Sequence, residues 1–237
     1  MNKYIALFGL MLSPLFVKAQ YVKIGPELGA TYSTMSQTHQ SKTYNSQYQM
    51  GFKLGVNVDV EINNDFYIQT GLYYKNGIGA HTSFEDRFST GAGLPTSVYD
   101  RREYSVNAVH IPVYAMYKTG KEFDDSKFFV GAGPFIDINT GGRFFQEYTR
   151  ALNGVGIAEK YDDVLRLGKG PDKHFQRVNV GIAATLGYEF SFGLYIKADY
   201  GLGFLNMAPL ADGNNKLYSH GGGLSIGFLL PTVDRQF

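Results

Sequence analysis

Nine consecutive residues, Phe52-Lys53-Leu54-Gly55-Val56-Asn57-Val58-Asp59-Val60, alternate without a break between an apolar side chain and a small or polar one. In an extended chain successive side chains leave on opposite faces, so this tract has one apolar face and one polar face. Eight tracts of 12 to 16 residues carry versions of the pattern: about 21–33, 48–60, 66–78, 103–118, 127–139, 175–190, 193–206 and 217–230. Strands of soluble domains run about 5 to 6 residues, whereas a tilted strand crossing a bilayer needs about 9 to 11. Tract length and alternation together predict an all-β fold, an eight-stranded antiparallel up-and-down transmembrane β-barrel.

The connections agree with that reading. Glu61 to Asp65, Thr119 to Ser126 and Ser191-Phe192 are short and rich in turn-forming residues. Thr34 to Gln47, Gly79 to Arg102, Thr140 to His174 and Met207 to Lys216 are longer, and the two kinds alternate. Barrels of the outer-membrane type have short periplasmic turns and longer extracellular loops. The expectation is a cell outer membrane barrel with both termini periplasmic. Residues 1–19, with Lys3, an apolar stretch to Phe16 and Val17-Lys18-Ala19, read as a signal peptide, leaving 20–237 as the barrel domain.

Removing Lys3 and Lys18 leaves 20 basic against 21 acidic residues, a net charge of −1. That balance argues against nucleic acid as a partner. Without cysteine there is neither a disulfide framework nor a thiolate metal site. Twenty-nine glycines and an aromatic content of 15% argue against a helical protein. Aromatics gather at strand ends (Phe66 and Tyr67, Phe128 and Phe129, Tyr188 and Phe190), as in interfacial girdles. Pro112 and Pro134 fall inside strands, where a bulge or a local break is expected.

Alternation sends Lys23, Glu27, Lys53, Asp59, Lys75, Asp137, Arg177, Glu189, Lys197 and Asp199 inward, with His110 beside them. Isolated buried charges are costly, so these are expected to pair as a network that closes the lumen. Lys197, Asp199 and Glu189 lie close together across the strand six to seven turn and are expected to form one group. Partner contacts are expected on the two longest loops, where Arg87, Arg101, Arg102, Arg143, Arg150 and Arg166 lie. Ala158 to Leu167 reads as a short helix within the second of these loops. His81, Ser83 and Glu85 resemble a hydrolase set only in type, because all three lie in one loop with no oxyanion feature. The five histidines lack zinc-ligand spacing, so neither a metal nor a cofactor is expected.

At strands four and five the chain resembles a known family. Val109-His110-Ile111-Pro112-Val113-Tyr114-Ala115-Met116-Tyr117-Lys118, a short acidic turn and Phe128-Phe129-Val130-Gly131-Ala132-Gly133-Pro134-Phe135 are similar to the signature of PorT-like outer-membrane β-barrel proteins of the Bacteroidetes. Leu194 to Leu202 is similar to that family's seventh strand. The resemblance implies an eight-stranded barrel and, loosely, a link to protein secretion. The tail Pro231 to Phe237 departs from the usual terminal aromatic of such barrels. The functional expectation is a non-enzymatic structural or accessory barrel that contacts outer-membrane lipid and shows its loops to a protein partner. A small-solute or ion channel and a lipid-modifying hydrolase are the alternatives. A lipid-facing Ser/His pair within hydrogen-bond reach would favour the hydrolase.

Overall fold

The computed structural model describes residues 21–39, 42–63, 65–89, 95–119, 126–152, 155–209 and 216–231. The expected signal peptide and the tail after Pro231 lie outside them. The strands are β1 (Tyr21–His39), β2 (Lys42–Asn45), β3 (Gln49–Glu61), β4 (Phe66–Ser89), β5 (Pro95–Lys118), β6 (Lys127–Leu152), β7 (Val155–Val164), β8 (Val178–Glu189), β9 (Leu194–Gly203), β10 (Lys216–Phe228) and β11 (Leu230–Pro231). Eight of them pair antiparallel in the order β10-β9-β8-β6-β5-β4-β3-β1, and β1 pairs back with β10, closing the ring. Closure removes the open edges that a flat sheet would carry into lipid.

The register fixes the shape of the ring. Stepping across the ladders from His220 leads through Leu202, Ile182, Pro134, Val113, Thr70 and Val58 to Ile24. On the closing side His220 faces Thr34, ten residues further along the same strand. A stagger of ten at about 3.3 Å per residue, against eight strands about 4.8 Å apart, gives a tilt of roughly 40° and a backbone radius of roughly 8 Å. Side chains fill so narrow a lumen. Glycines admit the large rings: Phe135 lies against Gly181, and Phe129 against Gly187, where any Cβ would overlap the ring.

The burial pattern is that of a soluble protein turned inside out. Leu54 is 53% exposed on the outer wall, while its neighbour Lys53 is 2% exposed in the lumen. Leu28, Val56, Leu72, Ile136, Leu186 and Ile226 are likewise exposed outward, and Glu27, Asp59, Glu189 and Lys197 are buried inward. Each of these positions follows the parity of its strand. At one end the connections are tight. Asn63 Oδ1 accepts from the main-chain N–H groups of Asp65 and Phe66, and Gly193 closes its turn at φ 93°.

At the other end the strands run further than expected. β4, β5 and β6 are 24, 24 and 26 residues long, so much of what read as loop is ladder. β7 adds to β6 from Arg143↔Val164 to Leu152↔Val155. The helix expected over 158–167 is therefore wrong. Ala158, Glu159 and Lys160 have helical propensity, but pairing along β6 outweighs it. The bulges also fall elsewhere than expected. Pro112 and Pro134 sit in register, Pro112 opposite Phe135 and Pro134 opposite Ile182. The register shifts flank Asn107, with one extra residue on β4 before Ile78 and one on β6 at Thr140. Gly77 accommodates the first at φ 71°. A bulge bends its strand and increases the local twist. This pair marks the line where the wall gives way to a ribbon sheet of β4, β5, β6 and β7.

Candidate functional site

Three tiers of polar side chains fill the lumen. In the tier nearest the tight turns, Lys23 donates to Glu189 at 2.6 Å, and Lys118 donates to Glu189 at 2.6 Å and to Asp59. Lys118 also lies 4.8 Å from the centre of the Tyr67 ring. In the middle tier Glu27 accepts from Lys197 at 2.7 Å, from the Tyr195 hydroxyl at 2.7 Å and from the Tyr73 hydroxyl at 3.1 Å. Lys53 bridges Glu27 at 2.9 Å and Asp199 at 2.6 Å. The third tier joins His110 Nδ1 to Asp137 at 2.6 Å, with the Asn179 amide near Asp137 and donating to Ser219. In the first two tiers four lysines pair with four carboxylates, and Lys127 and Glu61, buried at the same end, bring the balance to five and five. One-for-one matching leaves no net charge to draw an ion inward, and the side chains occupy the space it would need.

The residues marked from the sequence divide accordingly. Lys23, Glu27, Lys53, Asp59, Glu189, Lys197 and Asp199 meet in the first two tiers, and Asp137 in the third. Of the expected group, Lys197 and Asp199 meet in the middle tier through Glu27 and Lys53, while Glu189 pairs with Lys23 and Lys118 in the tier below. Arg177 is not in the lumen. It lies exposed just before β8, whose first inward side chain is Asn179. Phe175 likewise does not begin that strand; it bridges to Leu167 and turns inward. Lys75 is half buried beside His110 and Asp137 and has no ion pair among the described residues. Sequence reasoning missed Lys118, although it shares the inward parity of His110, Tyr114 and Met116.

Above the polar tiers an apolar plug caps the lumen. Met35, Tyr104, Val106, Phe144 and Leu217 project from the strands, and Leu165, Phe175, Met207 and Ala208 fold in from the connections. Beyond the plug the ribbon carries its charges in exposed pairs, among them Arg143 with Asp162 at 2.7 Å and Lys160 with Glu147 at 3.1 Å. Arg101 pairs with Glu103, and Arg166 reaches Asp163 and His174. Arg102 lies half buried opposite Gln146. Arg87 and Arg150 take ladder positions opposite Ser97 and Val98, but their side chains lie outside the described ones. The same holds for His81, Ser83 and Glu85, which belong to β4 rather than to a loop. His174 stacks on Phe144, and its burial there with the Arg166 guanidinium alongside holds the imidazole below its ordinary range. Exposed pairs of this kind contribute about 0–1 kcal/mol each, so they shape a surface more than they stabilise it.

A polar group stands on the outer wall at the seam of β9, β10 and β1. His220 Nε2 lies 3.4 Å from Ser36 Oγ, and the Tyr200 hydroxyl lies 3.0 Å from His220 Nδ1. This is a lipid-facing Ser/His pair of the kind that would favour hydrolysis. The third partner, however, is a neutral phenol rather than a carboxylate. The strands that carry Ser36 and His220 are paired on both sides, so their main-chain N–H groups serve the ladders rather than an oxyanion. Among the described residues, no group of three or more His, Asp and Glu is placed to hold a metal ion.

A family model for the outer membrane protein beta-barrel domain matches residues 15–206. Among solved structures, the chain is similar to the outer membrane protein OprG from Pseudomonas aeruginosa at 9% identity and a TM-score of 0.40, over 90% of this chain and 98% of that one. It is similar to Ail from Yersinia pestis at 13% identity and a TM-score of 0.35, over 88% and 100%. The outer membrane protease OmpT from Escherichia coli is similar at 6% identity and a TM-score of 0.35, over 90% and 97%. No curated protein sequence matches the chain.

Proposed function

Because the chain belongs to the outer membrane protein beta-barrel domain family, we propose that it serves the outer membrane as a non-enzymatic structural or accessory barrel, presenting its ribbon to a protein partner or envelope complex. In this reading residues 1–19 are a cleaved signal peptide and 20–237 the barrel, with both termini and the tight turns in the periplasm and the ribbon outside the cell. The strand four and five signature supports placing it among the PorT-like barrels of the Bacteroidetes, with a secretion-related role.

One observation carries the reading: the ribbon offers an open edge beyond a filled lumen. Among the described residues β7 pairs with β6 alone, so its far side presents main-chain N–H and C=O groups outside the ladder, except at Val164, whose N–H donates to Asp163 Oδ1. Ile157, Tyr161 and Val164 stand exposed along it. Natural edges are commonly blunted by proline, a bulge or charged side chains. β7 has no proline or bulge, and of its four charges Lys160 and Asp162 are drawn back to Glu147 and Arg143 of β6, so an edge of this length suits addition of a partner strand whose charges complement Glu159 and Asp163. Among the described residues, Lys118, Glu27 and the apolar plug stand across the lumen below.

Two measurements test this. In planar bilayers the purified protein is expected to give no unitary conductance; regular steps would establish the channel alternative. In intact cells a photo-cross-linker at Ile157 or Tyr161 is expected to yield adducts with another protein, while one at Leu28 on the wall yields only lipid. Absence of protein adducts from both ribbon positions would remove the partner reading.

A further inference from the structure

On the outer wall Gly222 stands in the ladder directly between Tyr32 of β1 and Tyr200 of β9. Glycine leaves a shallow slot here: Tyr32 stacks on Tyr48 on one side, and the Tyr200 ring leans over the floor toward His220 on the other, so that a Cβ at Gly222 would meet the Asp199 carbonyl oxygen at 2.7 Å and the Tyr200 ring at 3.2 Å. His220 and Ser36 stand at the ribbon end of this slot. Leu224, 66% exposed, continues the apolar wall at its other end.

The height of the group on the barrel is informative. Along strands tilted by roughly 40°, His220 lies roughly 22 Å above the tier of Tyr117, Phe128 and Tyr188, against an apolar band about 25 Å tall in such barrels. At the same level β4 and β6, each two places round the ring from the seam, turn polar, Tyr74 giving way to Asn76 and Ile138 to Thr140, while the adjoining β3 and β8 stay apolar with Met50 and Val178. This is where lipid headgroups sit.

Charge and hydrogen-bonding chemistry narrow the ligand. From this level to the ribbon end, the described outward side chains of β9, β10 and β1 are Leu202, opposite His220, and otherwise hydroxyl, aromatic, imidazole or amine, and none is a carboxylate. Lys216 stands exposed opposite Thr38, on the same face as His220. Behind the glycine floor a cavity of about 50 Å³ joins Gly221 and Gly222 to Lys75, whose ammonium has no ion pair among the described residues. Thr34 on the same face is already occupied, donating to the Ser46 carbonyl. The 3.4 Å separation of Ser36 and His220 is at the long end for a hydrogen bond, so this contact is a weak one. A Tyr200 hydroxyl donating to Nδ1 leaves the imidazole proton on Nε2, pointing at the gap beside Ser36. In that tautomer Nε2 donates, as a phosphate oxygen requires, whereas a serine hydrolase needs the opposite tautomer, with Nδ1 donating to the Tyr200 oxygen and Nε2 free to act as base.

We propose that the β9-β10-β1 seam is a binding site for a phosphate-bearing lipid of the surrounding membrane. The phosphate sits on the donors of His220 and Ser36 with Lys216 above, and an acyl chain lies over Gly222 between Tyr32 and Tyr200.

The test uses full-length protein folded in detergent and native mass spectrometry, with three probes: dioleoyl phosphatidate, dioleoylglycerol and inorganic phosphate. Phosphatidate is expected to bind at least tenfold more tightly than dioleoylglycerol, and millimolar inorganic phosphate is expected not to displace it. The Ser36→Ala/His220→Ala double variant and Gly222→Val are each expected to weaken phosphatidate at least fivefold, with folding checked by heat-modifiable gel migration. Should Gly222→Val fail to fold, the double variant decides, since it only trims partly exposed side chains. Equal binding of the two lipids, or unchanged binding in the double variant, would overturn the site. Displacement by inorganic phosphate would make it a free-anion site instead. Release of oleate by wild type but not by Ser36→Ala would replace it with acyl hydrolysis.

Discussion

Glu27→Ala is expected to destabilise the folded barrel by about 3–5 kcal/mol, the usual cost of leaving a buried charge without its partner. Glu27 is 1% exposed and accepts from Lys197, Lys53, Tyr195 and Tyr73 at once. Without it, Lys53 keeps Asp199, but Lys197 is left with no carboxylate in contact, holding the Gln69 amide oxygen at 3.3 Å and lying over the Tyr73 and Tyr195 rings. Asp199→Ala should cost less, because Lys53 then still has Glu27. Urea unfolding in detergent, followed by heat-modifiable migration, measures both. Replacing the Glu27 and Lys197 pair together by Leu and Met should recover part of the loss, since an apolar pair leaves no orphaned charge. Equal midpoints for Glu27→Ala and Asp199→Ala would show that the two carboxylates do not differ in their share of the network. A wild-type midpoint for both would mean that the lumen charges are solvated rather than paired.

Leu72→Arg is the second large effect, expected to cost about 2–4 kcal/mol when the protein folds into lipid. Leu72 is 59% exposed and lies near mid-height on the outer wall, opposite Val56. In water the same change at an exposed position would stay within about 0.5 kcal/mol. The substitution therefore distinguishes the two solvents through one side chain. Folding titrations into phospholipid vesicles give the first number, and a loss indistinguishable from zero would place that face of β4 in water.

Much of the wall was legible from alternation alone. The tract Phe52 to Val60 gives its inward and outward faces directly, and Lys53 and Leu54 take the burial that parity assigns. Strand count followed from tract length, because few folds need extended runs beyond about nine residues. Alternation could not give the partners within the lumen. Lys53 and Asp199 are 146 residues apart, and they meet only because a stagger of ten brings β3 and β9 to a shared height across the barrel. Nor was the ribbon legible. Its sequence, from Ala158 to Leu167 above all, is polar with helical propensity, and only the edge of β6 makes it a strand. The bulges beside Asn107 were misassigned to Pro112 and Pro134 because a proline announces a missing donor, whereas a register shift announces nothing. The outward group of Ser36, Tyr200 and His220 also escaped notice, since its members lie on three strands and up to 184 residues apart.

The central claim is that the wall faces lipid while its charges face inward. The chain has no cysteine, so single cysteines can be placed one at a time from Phe52 to Val60 and spin-labelled in proteoliposomes. Collision with oxygen, which partitions into the bilayer, should peak at positions 52, 54, 56, 58 and 60. It should fall at 53, 55, 57 and 59, with little access to a water-soluble nickel chelate at the central even positions. Uniform access along the tract, or even positions that favour the chelate, would contradict the barrel and leave these strands facing water.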